Sequence, residues 1–128
     1  MRVLLDTHTL LWAGLSPKLL SRRAAKTLAD PDNTALVSAA SAWEIATKVR
    51  LGKLPGAEHF EKNFLISVED AGYVFLSIDV SMALRAGRLP GDHRDPFDRM
   101  IAAQALALDI PIVSADPVLD SFGIRRIW

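Results

Sequence analysis

Short runs of consecutive apolar residues alternate along the chain with longer stretches in which apolar positions recur every three or four residues. The first run, Arg2–Leu5, reads as a buried strand ending at Asp6. Thr7–Leu15 carries Leu10, Leu11 and Trp12 in a helical or turn segment closed by Gly14. Ser16 and Pro17 supply an N-cap and a proline at the first helical position. They predict a helix through Leu19, Leu20, Ala24 and Leu28 that stops at Asp30-Pro31-Asp32-Asn33. Thr34–Ser38 is a second strand, followed by a helix over about 41–51 that ends at Gly52. Phe60, Phe64, Leu65 and Val68 share one side of a helix predicted over 58–70. Residues 73–78 form a third strand, Asp79 caps a helix through Met82 and Leu84 to Gly87, and Pro90-Gly91 breaks the chain. Asp95-Pro96 opens a long helix through Ile101, Ala102, Ala105 and Leu108. Residues 111–114 are a fourth strand, Pro117–Phe122 a short helix and 124–127 a fifth strand.

Apolar strands separated by helices indicate an α/β domain. Its expected form is an α/β/α sandwich, a mainly parallel sheet of about five strands covered on both faces. In such sheets ligands bind beyond the carboxyl ends of the strands. The 128 residues suit one domain, and a hydrophobic fraction of 50% can fill its core. The longest stretches without formal charge, residues 7–17 and 33–43, have 11 residues each. Both are too short for a membrane helix, which needs roughly 18. The N-terminus reaches a charge too early for a signal peptide, and the chain has no cysteine, so a soluble, cytoplasmic protein is expected. Fifteen Lys and Arg balance fifteen Asp and Glu, which argues against binding nucleic acid through a large overall positive field.

Four acids stand where the sheet geometry predicts a site. Asp6 directly follows the first strand, and Asp116 lies just past the fourth. Glu44 and Asp98 are expected in the first turns of helices that start at the same sheet edge. Gathered carboxylates repel one another unless a positive charge sits among them, and hard divalent cations such as Mg²⁺ or Mn²⁺ prefer all-oxygen sites. Each acid also has a structural reading. Ser41 and Glu44 fit a capping box. Asp95 before Pro96 is a natural N-cap that leaves Asp98 at a position favoured by the helix dipole, and Asp116 before Pro117 repeats that logic. Asp6 is harder to explain structurally, since an acid straight after a buried strand is unfavourable without a partner.

Other constellations are weaker. His8, His59 and His93 lack the helical pairing of a zinc site and read as structural or surface residues. No glycine-rich phosphate loop or GxSxG nucleophile elbow occurs. Trp12 and Trp43 are expected in the core rather than as stacking platforms for bases. Basic residues form small groups, among them Lys48, Arg50 and Lys53, that read as solvated helix faces. Arg94 and Arg99 bracket Asp98, where guanidinium groups would meet a phosphate, although Arg99 equally suits an ion pair with a site carboxylate.

The run Leu4-Leu5-Asp6-Thr7-His8-Thr9-Leu10-Leu11-Trp12 and the segment from His93 through Asp98 to Ala105 resemble those of PIN-domain ribonucleases. The likeness is strongest to VapC-type toxins of toxin–antitoxin pairs. Residues 38–44 and 113–116 complete the order of motifs, so the resemblance covers the whole chain, 1–128, as a single PIN domain. The family's four acids fall on Asp6, Glu44, Asp98 and Asp116. Thr7, Arg99 and Ser114 stand beside them as candidate substrate contacts, Ser114 at a position where the family often has threonine. Asp95 adds a competing carboxylate one helical turn before Asp98.

The resemblance implies a Mg²⁺- or Mn²⁺-dependent endoribonuclease whose metal is held by Asp6 and Asp98 with help from Asp116 and Glu44. In-line attack of water on RNA would leave 5′-phosphate and 3′-hydroxyl ends. Also implied are a cognate VapB-type antitoxin that blocks the site, a homodimer, and contact with DNA only through the antitoxin. Trp12, Leu15, Phe60 and Phe64 are apolar candidates for such contacts. Two other readings are weighed. A haloacid-dehalogenase-type phosphatase would need a second Asp where His8 stands. A catalytically silent PIN-like module would not need all four acids.

Overall fold

Strand β1, Arg2–Leu5, carries three consecutive fully buried residues, so both of its faces are covered. That is what a parallel sheet flanked by helices requires of its central strand. The computed structural model describes residues 1–128. Strands β2 (Thr34–Ser38), β3 (Val74–Leu76), β4 (Ile112–Val113) and β5 (Arg126–Ile127) complete a five-stranded sheet of order β3-β2-β1-β4-β5. Every pairing is parallel. Side chains alternate across it. Val3, Leu5, Val37 and Val113 point to one layer with Leu10, Ile45, Phe60 and Val68. Leu4, Leu36 and Ile112 point to the other with Ile101, Ala105 and Leu119. The sheet and its two helical layers agree with the expected α/β class.

Helices α1 (Thr7–Leu15), α2 (Arg22–Ala29), α3 (Ala39–Arg50), α4 (Glu58–Lys62), α5 (Phe64–Asp70), α6 (Val80–Arg88) and α7 (Pro96–Leu108) connect the strands. Several boundaries differ from expectation. The segment opened by Ser16 makes only a 3-10 turn over Pro17–Leu19. Leu20 is extended, and α2 starts afresh at Ser21, whose hydroxyl accepts from the Ala24 N–H at 3.0 Å. The helix expected over 58–70 divides at Asn63, whose φ of −106° and ψ of 25° leave the α region. The division rotates Leu65 out of the expected core side, and it is exposed together with Ile66. Trp43 is also on the surface, 62% exposed, packed edge-on against Phe97. Of the apolar contact candidates, Phe60 is core. A Cβ on Gly14 would stand 2.7 Å from its ring, so a glycine is what lets α1 approach α4 this closely.

The start of α3 matters most for the site. Ser38, the last residue of β2, caps α3 by accepting from the Ala40 N–H at 3.0 Å and donates to Gln104 Oε1 on α7. The helix therefore begins at Ala39, three residues ahead of a start capped by Ser41. Ser41 lies inside it, hydrogen-bonded at 3.0 Å to Thr7 at the start of α1. Glu44 is then in the second turn and caps nothing, which removes the capping-box reading. One serine thus fixes α3 to the strand edge and to α7. Ser38→Ala should lower the free energy of unfolding by about 1–3 kcal/mol, because a buried amide oxygen loses its donor and the helix its cap; urea denaturation measures it.

Candidate active site

Because all five strands run the same way, α1, α3 and α7 begin near the edge where the strands end. Asp6 lies at this edge, 6% exposed, as the N-cap of α1. Its Oδ1 accepts from the Thr9 N–H at 2.8 Å, and its Oδ2 accepts from the Ser114 hydroxyl. The Thr9 hydroxyl donates to the Val113 carbonyl at 2.8 Å, tying α1 to β4. Ser114 Oγ also accepts from the Asp116 N–H at 3.0 Å, while its carbonyl accepts from Arg126. Asp116 itself is exposed and caps the 3-10 helix Pro117–Phe122 through the Val118 N–H at 3.0 Å. Asp6 and Asp116 line one open cleft with His8, Trp12, Ala115 and Pro117.

Glu44 and Asp98 form a second pair across the starts of α3 and α7. Glu44 is 3% exposed; Oε2 accepts from Lys48 one turn along α3, and Oε1 is buried with no partner at all. An orphaned carboxylate oxygen in a protein interior is unfavourable and calls for a missing donor or cation. Asp98 Oδ2 bonds His93 Nε2 at 2.9 Å. Burial pushes the Asp98 carboxyl above its ordinary range; the His93 hydrogen bond pulls it back, and the charges of Asp95 and Glu44 raise it further. Asp95 caps α7, accepting from the Phe97 and Asp98 N–H groups at 2.9 and 3.1 Å.

Of the candidate substrate contacts, Thr7 and Ser114 are buried and bonded within the site. Arg99 does neither of the things expected of it. Its guanidinium donates to the carbonyls of Ala86, Leu89 and His93, clamping the loop between α6 and α7. That clamp holds the segment carrying His93 beside Asp98.

Asp6 and Asp116 share one cleft, the Glu44 charge reaches Asp98, and no three His, Asp or Glu side chains stand close enough to share one ion. The donor set still fits Mg²⁺ or Mn²⁺. All donors are oxygens, one carboxylate oxygen is orphaned, and Asp98 is raised by its acidic neighbours. Mg²⁺ is commonly held by only one or two carboxylates and keeps several waters. Two close neighbours of the acids were read from sequence as surface or structural residues. Lys48 carries a signal in the sequence, since Glu44 and Lys48 form an i,i+4 pair on one helix face. His93 carries none, because its contact depends on the loop that Arg99 folds.

A family model described as PIN domain matches residues 3–124. No curated protein matches the chain at the sequence level. Solved structures share its fold over nearly their whole lengths, three of them as follows. VapBC2 from Rickettsia felis, solved with a DNA fragment from its promoter, gives a TM-score of 0.68 at 16% identity, covering 98% of this chain and 97% of that one. VapBC-1 from nontypeable Haemophilus influenzae gives 0.66 at 17%, with 98% and 96% covered. FitAcB from Neisseria gonorrhoeae gives 0.57 at 18%, with 97% and 95% covered. No helix of the chain is long and apolar enough to cross a membrane.

Two outcomes follow from the paired acids. Asp98 binds its proton more tightly folded than unfolded, so its contribution to stability falls as pH rises through the carboxylate range. Asp98→Asn should therefore gain on the parent chain in urea denaturation as pH rises above the ordinary aspartate range, and match it more closely at the acid end. Lys48→Met should destabilise by about 1–3 kcal/mol, because Glu44 is left buried without a donor. Adding Glu44→Gln should recover part of that loss in the same measurement.

Proposed function

Because this chain belongs to the PIN domain family, whose members are nucleases, we propose that it is an endoribonuclease dependent on Mg²⁺ or Mn²⁺ and the toxin of a toxin–antitoxin pair. The observation that carries the metal-dependent reading is the buried, unpartnered Glu44 Oε1, whose carboxylate also raises Asp98 across the same edge. Asp6 with Asp116, and Glu44 with Asp98, are the residues that would hold the cation. A bound divalent ion would supply positive charge to the phosphodiester and acidify a water.

The chain's own groups do the rest. Ser114 fixes the Asp6 carboxylate through Oδ2 and the Asp116 backbone through its N–H, so the two acids keep one spacing. His93 orients Asp98 through Oδ2. Glu44 Oε1 and the exposed carboxylate of Asp116 are the candidates to orient the attacking water and take its proton. Bases fixed near the site serve the acids and the fold rather than substrate, with Lys48 on Glu44 and Arg99 on the loop carbonyls.

The antitoxin partner is supported by the likeness to VapBC2, VapBC-1 and FitAcB. In this reading a VapB-type antitoxin covers the site and contacts DNA on the chain's behalf, and the toxin works in the cytoplasm as a homodimer. An apolar groove of about 190 Å³ beside Asp98, lined by Trp43, Ile78, Pro96, Phe97 and Met100, suits an apolar antitoxin side chain.

The purified chain, incubated with total RNA with and without Mg²⁺ and followed by sequencing of the new ends, should cleave only with the metal and leave 5′-phosphates. Asp6→Asn and Asp98→Asn should each reduce cleavage by at least about 100-fold while remaining folded. Full activity in both variants would sink the site assignment, and intact RNA with the parent chain would sink the ribonuclease reading.

A further inference from the structure

The cleft beside Asp6 and Asp116 has one wall that the acids leave unexplained. His8 and Trp12 lie four residues apart on α1, so they share a face of the helix that Asp6 caps. Their rings are 5.9 Å apart at 52°, and Trp12 meets Trp128, the C-terminal residue, at 5.6 Å and 51°. Trp12 was expected in the core, yet it is only half-buried and forms part of the cleft wall with the exposed His8. Trp128, itself packed against the core, meets Trp12 from the other side. The cleft measures about 370 Å³ and is open to solvent. Clefts of roughly 300–1,000 Å³ are the range in which small-molecule groups are held.

We propose that His8 and Trp12 form a stacking subsite for one nucleobase of a single-stranded RNA whose backbone crosses the Asp6–Asp116 cleft. This rests on the ribonuclease reading. Aromatic and imidazole faces accept unstacked bases with little sequence preference, because every base offers a π-face. Without the cation they would hold, Asp6 and Asp116 do not favour a phosphate, so an uncharged part of the nucleotide offers a second grip on the strand beside them. The aromatic wall of His8 and Trp12 supplies that grip within the first two turns of the helix that Asp6 caps.

Binding of a 5′-labelled hexaadenylate RNA tests this, measured by fluorescence anisotropy with Mg²⁺ in the Asp98→Asn background so that the strand stays intact. A series of hexamers, each lacking one base, is measured alongside. Removing the base that occupies the subsite should weaken binding about tenfold, the size of one lost stacking contact. His8→Ala and Trp12→Leu should weaken the parent hexamer by a similar factor and erase the penalty for the missing base, whereas Trp12→Phe should keep both. His8 is exposed, so its replacement leaves the fold intact and guards against misreading a destabilised Trp12 variant. Unchanged affinity in both variants, an undiminished penalty, or no measurable binding of the hexaadenylate would overturn the subsite. The total-RNA experiment separates the two ideas: intact RNA there alongside the expected binding pattern removes the nuclease reading and leaves the subsite. Cleaved RNA with no effect of His8 or Trp12 does the reverse.

Discussion

A carboxylate buried at the end of a central strand has to be held by donors from elements that would otherwise be free to move apart. Asp6 is that carboxylate. Its two oxygens are satisfied by the Thr9 N–H at the start of α1 and by the Ser114 hydroxyl just past β4. The same Ser114 oxygen accepts the Asp116 N–H, and Thr9 reaches back to the Val113 carbonyl. Helix α1, strand β4 and the Asp116 turn are thereby locked to one point at the sheet edge. An unsatisfied buried charge would be worth several times an ordinary hydrogen bond, so this point tolerates little displacement. The parallel sheet supplies the rest of the constraint, because β2 ends at the same edge and delivers α3 there through the cap of Ser38.

The strand positions and the acids just past strand ends, Asp6 and Asp116, are legible from the sequence for the same reason. A strand buried on both faces must be continuously apolar, and the residue that interrupts it marks the edge where chemistry is possible. Val3-Leu4-Leu5 followed by Asp6 reads that way without any tertiary information. What local pattern could not supply was the choice between competing caps. Ser16, Ser21, Ser38 and Ser41 are all acceptable N-caps by residue type. The folded chain uses Ser21 and Ser38, because Leu20 is drawn toward the core in an extended segment and Ser38 is needed by Gln104. Moving the start of α3 by that much carries Glu44 from a capping position into the interior, which changes its chemistry from structural acceptor to orphaned carboxylate. The split at Asn63 is of the same kind: Phe60 and Val68 stay in the core while Leu65 turns outward, and a single period over 58–70 cannot express both.

Charge balance takes a different meaning once the acids are placed. With Asp6, Glu44, Asp98 and Asp116 set apart, eleven acids face fifteen bases over the rest of the chain. That surplus is not delivered to the site by the nearest bases. Lys48 is engaged by Glu44, Arg126 by Asp120, and Arg99 by three backbone carbonyls. The other cations on the surface include Arg2 on β1, Lys18 in the 3-10 turn, Arg22, Arg23 and Lys26 on α2, Arg50 at the end of α3, Lys53 after it, Lys62 on α4, Arg85 and Arg88 on α6, Arg94 in the loop, and Arg125. They are spread over several elements. A chain built this way attracts a polyanion weakly and everywhere, with a slope in salt set by the few phosphates it neutralises at once. If the chain acts on RNA as proposed, position on the strand is set by short-range contacts at the acidic edge itself. The exposed Trp43 packs against Phe97 in the groove beside Asp98, and His8 and Trp12 line the cleft of Asp6 and Asp116. On the proposed ribonuclease reading, long-range charge would draw an RNA strand near only weakly, and the aromatic surface beside the acids would decide where it stops.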